Sequence, residues 1–170
     1  VKLHVPIDHT IKGSGVAELM LENSVARAQQ EHELLKQELR NIYEQACIVR
    51  NVPEDRRLNR EIGQLHDIVK LFMRHWSAHT QWEDSELFPH AASYLGAEPD
   101  LFTLMEQEYE LAEQYIKKFL QALDKSNLPM NREEARKISS YLIQAYAVLN
   151  NRFREEEEIM LELAERSKAY

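Results

Sequence analysis

Apolar residues recur along this chain in alternating steps of four and three, the spacing that lines one face of a helix. The first such stripe holds Leu21, Val25, Ala28, His32, Leu35, Leu39, Ile42, Ala46 and Val49, within a helical pattern running from Val16 to about Arg50. The second holds Ile62, Leu65, Val69, Phe72, Trp76, His79 and Glu83, in a helix expected from about Leu58 to between Pro89 and Gly96. Phe102, Met105, Tyr109, Ala112, Ile116, Phe119 and Leu123 mark the third, over roughly Pro99 to Lys125. Ile138, Leu142, Ala145, Val148, Asn151, Glu155 and Ile159 mark the fourth, from about Arg132 to the end. "NVPEDRR", "GAEP" and "SNLPMN" separate the four, placing Pro and Gly at breaks, where they cost least. The pattern predicts an all-α, antiparallel up-down four-helix bundle over residues 16–170. Residues 1–15, with Pro6, Gly13 and Gly15, read as an irregular N-terminal arm.

Six polar residues interrupt the stripes: His32, His79, Glu83, Tyr109, Asn151 and Glu155. At about 1.5 Å of rise per residue, His32 falls roughly 28 Å before the first break and His79 roughly 30 Å after it. Tyr109 and Asn151 each fall about 24 to 29 Å from the last break, so one shared layer is expected. An internal repeat supports it. "QEHEL" at 30–34 resembles "QEYEL" at 107–111, and "HTQWEDSELF" at 79–88 aligns with "NRFREEEEIM" at 151–160. The chain therefore reads as two helical hairpins, the first supplying His32, His79 and Glu83 and the second Tyr109, Asn151 and Glu155.

Composition narrows the function classes. The net charge of −8 argues against a nucleic-acid surface, which needs a basic face. No apolar run approaches the roughly 20 residues that span a bilayer, and the start shows no basic-then-apolar secretory signal. Cys47 is the single cysteine, so neither a disulfide framework nor a thiolate metal cluster is expected, and a cytoplasmic location is. No positioned nucleophile, phosphate-binding glycine loop or basic groove points to hydrolytic or transferase chemistry.

Buried carboxylates cost several kcal/mol unless paired, protonated or bound to a metal. No Lys or Arg stands in the stripes to pair them, so a cation is the simplest neutraliser. Imidazole with carboxylate suits iron, manganese or zinc, and a His followed four residues later by Glu presents both groups to one ion. A structural hydrogen-bonded pair is the plain alternative for His79 and Glu83, a solvated acidic face for Glu155, and a core hydroxyl for Tyr109. His75, one turn before His79, is a substitute ligand, whereas His4, His9, His66 and His90 have no repeat partners. Glu31 and Glu108 are candidates to support the ligands from behind.

These residues resemble the hemerythrin-like, or HHE cation-binding, family. Its pattern is a His on the first helix, His-x-x-x-Glu on the second, a His on the third and His-x-x-x-Glu on the fourth. "HTQWEDSELFP" carries the closest likeness, with the acidic pair and Leu-Phe-Pro ending. The resemblance implies one or two non-haem irons held by His32, His79, Glu83 and Glu155, with the two Glu as bridges. Tyr109 and Asn151 stand where the family has histidines, which puts a second iron and hemerythrin-type oxygen carriage in question. Tyr109 is expected either to ligate as a phenolate or to pack as a core Tyr, and Asn151 to ligate or orient a water. The implied role is sensing, binding or buffering oxygen, nitric oxide, peroxide or iron, with a protein partner or self-association open. The alternatives are a carboxylate-bridged oxidase or peroxidase, and a metal-free bundle serving as an interaction module.

Overall fold

The computed structural model describes residues 10–53, 56–95, 99–126 and 129–168. They form α1 (Thr10–Asn51), α2 (Arg56–Trp82), a π-helical turn (Glu83–Leu87), α3 (Phe88–Leu95), α4 (Pro99–Lys125) and α5 (Arg132–Lys168). There are no strands among the described residues, and no helix there is long and apolar enough to cross a membrane. α1 begins at Thr10, so residues 10–15, expected in the arm, are helical. Residues 1–9, including Pro6, His4 and His9, lie outside the described residues. α5 starts on a capped turn, with the Glu134 N–H donating to Asn131 Oδ1 at 2.8 Å and two glutamates in the first turn, where acidic groups oppose the helix dipole.

The second helix does not run straight to Leu95. Pro89 cannot donate to the carbonyl four residues back, and its ring crowds that carbonyl. The chain widens just before it, and the Phe88 N–H reaches back five residues to the Glu83 carbonyl. Trp82 and Glu83, where this turn begins, are both buried, as are Leu87 and Phe88 at its end. Such π turns recur at functional sites.

α1 packs against α2 and α5, and α4 against α5. Gln45 bonds Glu61, Glu38 bonds His75, His32 meets His79 and Ser24 bonds His90, so positions falling along α1 meet positions rising along α2 and α3. Trp76 bridges to α4 with its ring edge-on to Tyr109, centroids 4.7 Å apart. The larger apolar cluster runs from Val52 and Leu58 up to Trp76, Tyr109 and Phe153. A smaller one comprises Leu21, Val25, Ala28, Trp82, Leu87, Phe88, Met105 and Met160. His32, His79 and Glu156 lie in the sequence gaps between the two clusters, and Glu83 follows Trp82 at the edge of the smaller one. The Phe102 side chain, expected in the third stripe, lies outside the described residues.

Gly63 sits mid-helix in α2, exposed, with nothing within 4 Å of where a Cβ would stand. Gly63→Ala is therefore expected to stabilise the fold by roughly 0.5–1 kcal/mol, read from urea unfolding. An unchanged or lower midpoint would show a strain there that the open space does not suggest.

Candidate metal centre

Four buried side chains converge where the two apolar clusters part. His32, His79, Glu83 and Glu156 each offer a nitrogen or oxygen, and these atoms all lie within 4.8 Å of one another. His32 comes from α1, His79 from the last turn of α2, Glu83 from the start of the π turn and Glu156 from α5. The two imidazole Nε2 atoms face each other at 3.2 Å, and His79 Nε2 also touches a Glu83 carboxylate oxygen. His32 Nε2 stands 3.7 Å from Glu156 Oε2. Tyr109 caps the group, its hydroxyl donating to Glu156 at 2.6 Å and lying 3.4 Å from Glu83 Oε2.

Two expectations for α5 are corrected. Asn151 is exposed and bonds Glu155 and Arg154 at the surface; Glu155 is 42% exposed and pairs with Arg152. Their places on the inner face belong to Arg152 and Glu156, each 1% exposed, and Leu149 is buried there where Val148 was expected. The reason is helical phase. From Ile138 to Glu156 is about five whole turns at 3.6 residues per turn, so Glu156 lies directly in line with Ile138. Asn151, reached by three consecutive steps of three, trails onto the opposite face. Aligning Arg152-x-x-x-Glu156 with His79-x-x-x-Glu83 would have found both residues.

The remaining expectations sort by distance. Glu31 Oε2 reaches within 3.5 Å of His79 Nδ1 and is itself tied to Arg27 at 3.3 Å. Glu108 instead holds Arg152, at 3.0 Å. His75 turns away to bond Glu38 at 2.5 Å, His66 pairs with Asp67, and His90 bonds Ser24; all three stand apart from the cluster. Cys47 is half-buried and free.

Burial dominates the electrostatics. It drives the His32 imidazole down to about 4, only partly offset by Glu156, and lowers His79 as well. Both rings are thus held neutral, with lone pairs available. Burial also raises Glu83 to about 7 and Glu156 well above the ordinary carboxyl range, where the two carboxyls share a hydrogen bond. Tyr109 is pushed well above its usual value by burial and by both carboxylates, so it keeps its proton and acts as a donor.

This donor set fits a metal ion. Two carboxyls buried together cannot both ionise without a cation beside them. Neutral imidazole with carboxylate oxygen is the mixed set that iron, manganese and zinc accept. Glu156 Oε1 is buried without a hydrogen-bond partner, an orphan acceptor that a cation would satisfy. The wall of the site is aromatic: His32 packs on Phe153 at 4.9 Å, and His79 lies between Trp76 and Trp82, at 6.2 and 6.0 Å.

Against models of known families, residues 23–164 match the one described as the hemerythrin HHE cation binding domain. Searches of the curated proteins and of the solved structures give no match.

Proposed function

The chain belongs to the hemerythrin HHE cation-binding family, and from that premise we propose that it binds non-haem iron in its core and uses it to sense, bind or buffer a small ligand. Oxygen, nitric oxide, peroxide and iron itself are the ligand class. The observation that carries this reading is the convergence of four buried donor atoms from three separate stretches of helix within 4.8 Å. His32, His79, Glu83 and Glu156 hold the ion, and a cytoplasmic setting suits a single free cysteine. Contacts running in opposite chain directions along α1 and α2, and along α1 and α5, support helices alternating up and down.

Iron supplies a redox-active centre that accepts small ligands. The protein's own residues prepare it. The lowered basicity of His32 and His79 keeps their lone pairs free of protons at neutral pH. Tyr109 donates to Glu156 and so fixes which way that carboxylate turns. Glu31 faces the far nitrogen of His79, the position from which a carboxylate orients a ligating imidazole. Trp76, Phe153, Trp82 and Leu87 exclude bulk water.

Metal affinity is expected to climb with pH toward about 7, because burial raises Glu83 to about 7 and an incoming ion must displace its proton. The slope is about tenfold per pH unit for each proton displaced. Anaerobic Fe(II) titration at several pH values reads it directly, and a flat profile would mean the carboxyls are not ligands. Loaded protein exposed to oxygen, nitric oxide or peroxide should change its absorption spectrum reversibly. Catalytic turnover of peroxide or oxygen would point to an enzyme instead.

A further inference from the structure

With α5 in its observed register, the two halves of the core correspond closely. Tyr109 answers His32, Arg152 answers His79 and Glu156 answers Glu83. The first half offers two neutral imidazoles and a carboxyl. The second offers a phenol that keeps its proton, a carboxyl and a guanidinium, which cannot coordinate a metal and does not lose its charge. Building on the metal-binding reading above, we propose that Arg152 is a built-in cation standing in for a second metal ion, so that the core takes one exchangeable ion per chain.

Two observations support this. Arg152 is 1% exposed, which places a full positive charge inside the bundle one turn before Glu156. Its Nη1 alone is held, by Glu108 and Glu155 at 3.0 Å each, while Nε and Nη2 are buried without partners. Surface tethering by two half-exposed carboxylates therefore does not account for the whole group. The buried guanidinium therefore stands at the repeat position of His79, one turn along α5 from Glu156.

Charge and donor supply lead to the same count. Glu83 and Glu156 are the two carboxylates in the cluster, and one divalent ion balances them when both ionise. A second divalent ion beside Arg152 would meet a like charge already held in place by Glu108 and Glu155. It would also find too few donors, because the cluster holds four residues, all within reach of one ion. Arg152 and Tyr109 thereby act as positioning residues. They exclude the second ion and set the charge around the first.

The test is stoichiometry. Full-length protein is loaded anaerobically with Fe(II), desalted, and assayed by mass spectrometry for iron per folded chain. One ion is expected in the wild type. The double variant Tyr109→His with Arg152→His restores imidazole at both second-half positions and is expected to hold two. Two ions in the wild type overturns the inference while leaving the metal reading intact, and no ion at all sinks both. A folded double variant that still holds one ion also overturns it. Should that variant not fold, Arg152→Gln decides. Loss of the fixed charge should tighten Fe(II) binding about tenfold, since a like charge is removed from a low-dielectric site. Unchanged or weaker binding would reduce Arg152 to a structural residue.

Discussion

Glu156→Gln is expected to weaken Fe(II) binding by more than about 100-fold, whereas Glu155→Gln leaves it within about threefold. Losing even an outer partner of a ligand typically costs 10- to 100-fold in metal affinity, so losing a ligand costs more. The contrast is informative because the two residues are neighbours of identical chemistry in one acidic run. They differ in phase alone: Glu156 is 1% exposed and bonded to Tyr109, Glu155 is 42% exposed and bonded to Arg152. The amide is nearly isosteric, so a loss of binding reports lost charge and not lost packing. Equal losses in both variants, or a loss only at Glu155, would place the carboxylate ligand at the surface and dismantle the geometry described above. Isothermal titration under anaerobic conditions gives both affinities.

The second large effect is on stability. Ligand at 100 times its dissociation constant stabilises the form that binds it by about 2.7 kcal/mol. For a domain of this size each kcal/mol moves the melting temperature by about 2–4 °C. Saturating Fe(II) is therefore expected to raise Tm by about 5–10 °C, and a chelator to reverse the shift. The gain has a specific origin. Without a cation the folded state must keep the Glu83 and Glu156 carboxyls protonated or suffer their repulsion, and burial has raised both. His79→Ala should abolish the metal-dependent shift. If metal leaves Tm unchanged while the wild type retains all its helix, the cluster is a self-sufficient hydrogen-bonded core and the bundle serves some metal-free role.

Much of this architecture is legible in the sequence, and the exceptions have physical causes. α4 spans Pro99–Lys125 as the periodicity predicts, and the apolar stripes of α1 and α2 are buried as far as their side chains are described. His32, His79 and Glu83 stand out because each interrupts a long stripe of large apolar residues. In α5 the signal is weaker. "EEEE" at 155–158 covers most of the circumference of one turn with a single residue type, so composition cannot say which Glu points inward. Only phase can, and a run of three-residue steps falls behind a 3.6-residue helix, which carries the expected stripe from Ala145 to Val148 and Asn151. The inward position of Arg152 is hidden for a related reason: a buried guanidinium runs against the usual preference of charge for the surface.

The π turn at Glu83–Leu87 has only Pro89 as its herald, and a proline near a helix end more often simply marks the end. Its effect on the site is substantial all the same. Widening the helix at that point keeps Glu83 inside, one turn from His79, while Trp82 also stays buried against the smaller apolar cluster.

The central claim is that a cation belongs among these four side chains. A crystal of iron-loaded protein, with an anomalous difference map measured at the iron edge, tests it most directly. The expected result is a peak bounded by His32 Nε2, His79 Nε2 and the carboxylates of Glu83 and Glu156. A map featureless at that point, or a peak seated instead at His66, His75 or His90, would contradict it.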